Sequence, residues 1–275
     1  MTPDWLGAAR RAADAMSAML AANPTIAQRV AETGERGEGG DRTLEIDAAA
    51  ERAVFEELRR LHDDGARFTA VSEERGFVDM GDPGVTVVVD PIDGSMNAKR
   101  GMPHHALSIA VADGPTMGDV LFGYVRDFGP GEEWVAWRGQ GAQLNGIALD
   151  PSLGERRARD GKLELVGIES ADPRWMRDSA DALVKAVHRV RAMGTIASTL
   201  CQVAAARLDG MVTLRASRAV DAAAGQLIVR EAGGHVAFTK FDPPLAAPLD
   251  LQPRSPVVAA RTPGGLEELA AVPAV

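Results

Sequence analysis

The sequence predicts a mixed α/β protein, and three features carry that expectation. Alanine-rich stretches in the first 62 residues place apolar side chains at helical spacing. Between Ala106 and Ile147, short apolar runs punctuated by Gly, Pro and Asp read as a largely antiparallel meander. From Leu163 onward, strand and helix patterns alternate, which implies helices covering a sheet. The polar stretch Asp150–Lys162 lies between the last two patterns. The expected organisation is therefore an N-terminal α+β part over residues 1–150 and a C-terminal α/β part over 151–275.

The first helix runs from about Pro3 to Ala22 and stops near Asn23-Pro24, because proline cannot continue it. Thr33-Gly34-Glu35-Arg36-Gly37-Glu38-Gly39-Gly40-Asp41 is charged and glycine-rich. Its spacing does not fit a Gly-x-Gly-x-x-Gly nucleotide turn, so it reads as a mobile flap. A second helix covers Ile46 to about His62, with Ala48, Ala49, Val54, Phe55 and Leu58 on its inner side. Phe68–Val71 is a short strand that runs into Ser72-Glu73-Glu74-Arg75-Gly76. Neighbours on a strand point to opposite sides, so only one of the two glutamates can face a shared site. A buried strand at 85–89 follows, then a loop at Lys99–Pro103. The meander comprises Ala106–Ala112, Met117–Arg126, Glu133–Trp137 and Gly141–Ile147. In the second half, strands are expected at Leu163–Ile168, Val190–Met193, Gly210–Leu214, His235–Phe238 and Val257–Ala260. Helices are expected at Pro173–His188, Ile196–Leu208, Asp221–Ala232 and Pro263–Ala271.

The chain is organised around Val85-Thr86-Val87-Val88-Val89-Asp90-Pro91-Ile92-Asp93-Gly94-Ser95-Met96-Asn97. The valines read as a strand buried on both faces, and Pro91 and Gly94 break it into a tight turn. Asp90 and Asp93 flank a residue whose carbonyl can also turn inward, a set of hard oxygen ligands of the kind Mg²⁺ prefers. Gly94 and Ser95 open a short helix whose free N–H groups favour an anion. Cation ligands beside an anion cradle are what metal-assisted phosphoryl chemistry requires. Taken alone, an Asp-Pro-x-Asp-Gly turn is more often solvated. Likewise Asp221 reads as a helix N-cap, Asp47 as an acid favoured in a first helical turn, and Gly194-Thr195 as a helix cap or a source of N–H groups for a ligand.

With 30 Lys and Arg against 39 Asp and Glu, the net charge is −9, which argues against nucleic acid or an anionic membrane as the main partner. Phosphate handling in such a chain requires local charge inversion, which divalent cations supply. The single cysteine, Cys201, lies among apolar residues and reads as a buried structural thiol. The absence of a membrane-length apolar run or a signal-peptide pattern makes a cytoplasmic location the expectation. His104-His105 lacks a third ligand at zinc-like spacing.

Together these pieces resemble the inositol monophosphatase family of Mg²⁺-dependent, Li⁺-sensitive phosphatases. The family's Asp-Pro-x-Asp-Gly-Thr/Ser-x-Asn signature is matched by Asp90–Asn97, its Glu-Glu element by Ser72-Glu73-Glu74, and its early Asp by Asp47. Gly194-Thr195-Ile196-Ala197 matches a third element loosely. The late element is matched by Val220-Asp221-Ala222-Ala223-Ala224-Gly225 and then Glu231-Ala232-Gly233-Gly234. The resemblance spans nearly the whole chain in the family's order. It implies a layered α-β-α-β-α sandwich whose two halves meet at the active site.

The resemblance further implies that Glu73, Asp90 and the Ile92 carbonyl hold one Mg²⁺, that Asp90, Asp93 and Asp221 hold a second, and that a third ion leans on Glu73. Ser95 and Asp47 would orient and deprotonate the attacking water, and the N–H groups of Gly94 and Ser95 would bind phosphate. Asp93, Gly194 and Thr195 complete the expected substrate contacts, and a homodimer is the family's common state. Two positions depart from the inositol phosphatases. Leu214 replaces a glutamate that meets inositol hydroxyls, and Ser95 stands where threonine is usual. Arg218, in Arg-Ala-Val-Asp, looks more like the archaeal-type enzymes acting on inositol monophosphate and fructose 1,6-bisphosphate, and is expected near the far end of the site. Inositol 1-phosphate is the first substrate expected, with fructose 1,6-bisphosphate, histidinol phosphate and adenosine 3′,5′-bisphosphate as alternatives. A non-catalytic metabolite-binding relative is the alternative of another class, but the ligand set is complete. No Gly-x-Ser-x-Gly elbow supports a Ser-His hydrolase.

Overall fold

A computed structural model describes residues 3–30, 32–36 and 42–274. Asp4 caps helix α1 (Trp5–Ala22) by accepting from the Gly7 N–H, and a one-turn helix α2 (Ile26–Arg29) follows, capped by Thr25. Strands β1 (Glu32–Arg36) and β2 (Arg42–Leu44) then pair antiparallel. The expected flap over Thr33–Asp41 is thus a strand where it is described, and 37–41 lie outside the described residues. Backbone pairing of this kind needs no apolar alternation, so the pattern did not announce it.

Helix α3 (Glu45–Asp63) packs beside α1, and strands β3 (Phe68–Ser72) and β4 (Gly76–Asp93) come next. Strand β4 folds around β3. Its first arm runs antiparallel, with Met80 opposite Phe68 and Gly76 opposite Ser72, and its second arm runs parallel, with Thr86 opposite Thr69 and Val89 opposite Ser72. Lys99 and Arg100 belong to helix α4 (Ser95–Arg100) rather than to a loop, and the turn begins only at Gly101, where φ is 66°. The expected meander follows as β5 (Ala106–Ala112), β6 (Val120–Asp127), β7 (Glu132–Trp137), β8 (Ala142–Leu144) and β9 (Ile147–Ala148), completing a seven-stranded sheet in sequential order, except that Met117–Asp119, expected to open the second of these strands, form a 3-10 turn capped by Thr116. Gly141–Ile147 is not one strand. Asn145 and Gly146 both take positive φ, the hairpin geometry that Asn-Gly favours, and they divide it.

The second sheet has five strands in the order β11-β10-β12-β14-β13. These are β10 (Leu163–Glu169), β11 (Val187–Arg191), β12 (Gly210–Thr213), β13 (His235–Phe238) and β14 (Val257–Ala260), interleaved with helices α5 (Pro173–Ala186), α6 (Ile196–Ala204), α7 (Ala219–Glu231) and α8 (Pro263–Ala270). Several boundaries differ from expectation: α5 ends at Ala186 rather than His188, and α7 begins at Ala219 rather than Asp221 and ends at Glu231 rather than Ala232. Helix α6 stops at Ala204, and the strand expected at Val190–Met193 is displaced to Val187–Arg191. Strand β11 is the edge strand with His188 to Arg191 exposed, so no burial pattern marked its register.

Side-chain alternation builds the layers. Val87 and Val89, with Leu107, Ile109 and Val111, face α1 and α3. Val88, with Ala106, Ala110 and Ala112, faces α6 and α7. Those two helices also cover Met211, Val257 and Ala259 of the second sheet, whose other face packs on α5 and α8. The result is the expected α-β-α-β-α order. Helix α7 is buried on all sides because a sheet lies on each side of it. Gly123 of β6 lets its backbone approach closely: a Cβ there would stand 2.8 Å from the Ala224 carbonyl oxygen. Cys201 sits in this middle layer, and burial pushes its thiol well above the ordinary range. No described helix is long and apolar enough to cross a membrane.

Candidate active site

Four carboxylates converge where β3, β4 and α7 end or begin. Glu73 follows β3, Asp90 and Asp93 end β4, and Asp221 sits in the first turn of α7. Glu73, Asp90 and Asp221 each place an oxygen within 4.8 Å of the others, and they form the one such group of His, Cys, Asp or Glu found among the described residues. Asp90 and Asp221 are buried and Glu73 half-buried. Burial first, and then the charges of Glu73, Asp93 and Asp221, push Asp90 well above the usual carboxylate range. Burial likewise raises Glu73. Asp93 is pushed up to about 8 by burial and by Asp221, against the opposing bonds from Thr195 and Ala197.

Local structure sets these side chains. Asp90 Oδ1 accepts from the Ile92 N–H at 3.0 Å, the tight turn expected after the buried strand. Asp93 Oδ2 accepts from the Thr195 hydroxyl at 2.5 Å and from the Ala197 N–H at 2.6 Å, so it ties β4 to the start of α6. Asp221 is not the N-cap of α7. That position is Arg218, whose N–H donates to Asp221 Oδ2 at 2.9 Å. Helix α4, by contrast, has no side-chain cap, and Gly94 precedes it in the left-handed region at φ 85°. A Cβ on Gly94 would stand 3.0 Å from the carbonyl oxygens of both Gly194 and His104, so the site requires glycine there for conformation and for space. Asn97 donates to the carbonyls of His104 and Met193, joining the same two segments.

A cavity of about 560 Å³ opens over this cluster. Glu73, Asp90, Ile92, Asp93, Gly94, Ser95, Gly194, Thr195, Arg218 and Asp221 all line it, so the structure brings together every expected site residue except Asp47. Asp47 lies buried at the start of α3, with Lys99 Nζ 3.5 Å from its carboxylate. Arg218 departs from its expected place at the far end of the site. Its guanidinium is bound to Glu73 and lies 3.5 Å from Asp221, inside the acidic cluster, because the R-x-x-D spacing puts it one helical turn from that aspartate. Neither histidine joins a metal cluster: His104 Nδ1 is 3.2 Å from Asp127, and His105 Nδ1 lies 3.2 Å from the Met102 carbonyl.

Two glutamates were missed. Glu169, at the end of β10, accepts from the N–H groups of Met193 and Gly194 and from the Thr199 hydroxyl, and so holds the loop before α6. An acid closing an apolar strand was its only signal in the sequence. Glu51 on α3 accepts the Ser72 hydroxyl at 2.7 Å and lies 3.3 Å from Arg75, bracing the turn that carries Glu73. Burial pushes Glu51 up to about 7, although Ser72 and Arg75 oppose it.

The family model for the inositol monophosphatase family matches residues 4–273. A fructose-1,6-bisphosphatase/inositol-1-monophosphatase of Methanothermobacter thermautotrophicus is 35% identical over 244 residues, covering 84% of this chain and 83% of that protein. Nus factor SuhB of Escherichia coli K12 is 34% identical over 235 residues, covering 84% of each. The crystal structure of an inositol monophosphatase-fructose 1,6-bisphosphatase superposes with a TM-score of 0.80 at 24% identity, covering 97% of this chain and 98% of that one. A sandwich with an acidic cluster at the junction of its layers defines a class of phosphatases. The chain belongs to the inositol monophosphatase family. The expectation that it takes no nucleic-acid partner is not supported, since relatives this similar are named Nus factors.

Proposed function

We propose that the chain is a Mg²⁺-dependent phosphomonoesterase acting on a small phosphorylated polyol, with inositol 1-phosphate the first substrate to test. The observation that carries this reading is the cluster of Glu73, Asp90 and Asp221, with oxygens within 4.8 Å, opposed by one guanidinium and adjoining the uncapped N-terminus of α4. Buried carboxylates with so little counter-charge fit divalent cations, whose oxygen ligands they would be. Glu73, Asp90 and Asp221 would hold them, and the resemblance adds Asp93, the Ile92 carbonyl and a third ion on Glu73. When bound, the cations neutralise phosphate charge and acidify the attacking water.

The chain's own groups supply the rest. The N–H groups at the start of α4 bind phosphate oxygens, aided by the helix dipole. The Ser95 hydroxyl orients the attacking water; the resemblance gives Asp47, which lies outside the cavity lining beside Lys99, the part of receiving its proton. Thr195 and the Ala197 N–H hold Asp93 in one orientation. Li⁺ inhibition and a homodimer belong to the same reading.

The test is phosphate release from inositol 1-phosphate, fructose 1,6-bisphosphate, histidinol phosphate and adenosine 3′,5′-bisphosphate, with Mg²⁺ and after chelation. Release from at least one, abolished by the chelator, is expected. No release from any would favour the non-catalytic metabolite-binding alternative.

A further inference from the structure

Glu169 closes β10 on the wall of the cavity, yet it is only 2% exposed, so it meets the site through other residues rather than through a ligand. Its backbone belongs to the second sheet: it stands opposite Thr213 of β12, and its carbonyl accepts the Leu214 N–H at 2.9 Å. Ser170 then turns the chain at once with φ 56°, a conformation that a non-glycine residue keeps only where its surroundings fix it. Among the described residues the partners of the Glu169 carboxylate are uncharged donors. Oε1 accepts from the Met193 N–H at 3.0 Å and from the Thr199 hydroxyl at 2.7 Å, and Oε2 accepts from the Gly194 N–H at 2.8 Å.

The segment that Glu169 grips is gripped from the first sheet as well. Asp93, at the end of β4, takes the Thr195 hydroxyl and the Ala197 N–H. Two buried carboxylates, one from each sheet, thus hold the entry to α6 between them, and Thr195 lies where the two sets of bonds meet. Burial pushes the Glu169 carboxyl up, and bonds from Thr199, Met193, Gly194 and Thr195 oppose that rise. Burying a carboxylate among neutral donors is costly, and a neutral amide would not replace it, because glutamine offers one accepting oxygen and an NH₂ group that would face an N–H donor. The charge therefore stands where every donor of this loop needs an oxygen.

We propose that Glu169 is a positioning residue for the cation site: by fixing the backbone from Met193 to Thr195 it aims the Thr195 hydroxyl at Asp93 and holds that carboxylate in one orientation. The inference rests on the phosphomonoesterase reading above, in which Asp93 is a cation ligand. Groups that orient a ligating carboxylate matter to the ion nearly as much as the ligand does, since an ion bound by a free-turning carboxylate must first order it. Glu169→Gln keeps the shape and sets one donor of the loop against another, so the aim of Thr195 is lost while the strand remains.

The experiment titrates Mg²⁺ alone into the substrate-free protein by calorimetry and records the melting temperature of each variant without Mg²⁺. Glu169→Gln is expected to raise the Mg²⁺ dissociation constant about ten-fold or more. Thr195→Val removes the hydroxyl that Glu169 aims and should weaken Mg²⁺ to a similar degree, and adding Glu169→Gln to it should change the constant little further. A lowered melting temperature with unchanged Mg²⁺ affinity would make Glu169 a structural residue and overturn the inference. Equal losses from Glu169→Gln with and without the Thr195 hydroxyl would overturn it too. Should Glu169→Gln fail to fold, Thr199→Val carries the test, because it takes one neutral donor from the same carboxylate; weaker Mg²⁺ binding is expected, and an unchanged affinity would overturn the positioning role. Wild-type protein that binds Mg²⁺ through this arrangement but releases no phosphate would keep the inference and overturn the phosphatase. Wild-type protein that binds no Mg²⁺ would overturn both.

Discussion

Two adjoining cavities, of about 560 and 370 Å³, share Arg218 and Asp221 as a wall and carry opposite charge. On one side the converging carboxylates of Glu73, Asp90, Asp93 and Asp221 meet a single guanidinium, and on the other Arg215 and Arg254 line a cavity whose one carboxylate is the shared Asp221. The acidic half is unfavourable as it stands, because a charge removed from water without a partner costs more than it returns, whereas Arg215 stays exposed and Arg254 is only half-buried. The difference in sign tells what the acidic side lacks. On the proposed reading the acidic cavity is completed by cations.

The sharpest way to break the acidic side is Asp90→Asn. It keeps the shape and removes the charge at the centre of the cluster, so turnover is expected to fall roughly a thousand-fold or more while circular dichroism stays native. Near-normal turnover would remove Asp90 from the cation-binding role. Ser95 tests the catalytic assignment beside it. Ser95→Ala should lower kcat by about a hundred-fold with little change in KM, whereas Ser95→Thr keeps the hydroxyl and should remain active. An Ala variant that turns over normally would show that the water needs no help from this side chain.

Arg218 sharpens the comparison at the shared wall. Because it already neutralises Glu73, it competes with any cation for that carboxylate. Arg218→Gln should therefore lower the half-saturating Mg²⁺ concentration several-fold, on the order of one unit of charge interaction at partial burial. Weaker Mg²⁺ binding in the variant would mean that the arginine orders Glu73 rather than opposing the cation.

The smallest expected effect is on stability. Native Asp93, raised to about 8, and native Glu51, raised to about 7, hold protons that the unfolded chain releases near its ordinary carboxylate values. Between about pH 4 and pH 8 the folded state then binds more protons than the unfolded one, so chelated protein should lose stability as pH rises through that window. Mg²⁺ stabilises the ionised form and should offset the loss, with a melting-temperature gain that grows with pH to a few degrees. A Mg²⁺ gain that is flat across the window would separate cation binding from these protons.

The elements that the chain's periodicity marked are those with a buried face. Strands β5, β13 and β14 fall at the expected residues, and α1 and α3 lie within a few residues of theirs, because a run such as Ala106–Ala112 cannot be placed without burying it. Strand β11 and the paired β1 and β2 escaped because one is an exposed edge and the other two carry no apolar alternation in their sequence. The acidic set was legible for a different reason. Asp90 and Asp93 lie three residues apart in one turn, so local sequence holds them together, and the family's order of motifs supplied Glu73 and Asp221.

Side-chain partners across the chain were decided only by the tertiary structure. R-x-x-D places Arg218 near Asp221 in any helix start, but whether its guanidinium turns to Glu73 or to solvent depends on where β3 ends, 145 residues earlier. Glu169 and Glu51 looked like ordinary acids until the folded chain brought N–H and hydroxyl donors to them. Arg254 lies 33 positions beyond Asp221 in a stretch with no motif, and one backbone bridge between Ser217 and Ser255 brings it to the adjoining cavity. Local sequence sets which groups are present and how a turn presents them. Which charges end up paired is a property of long-range packing, because a charge's energy depends on every group that displaces its water.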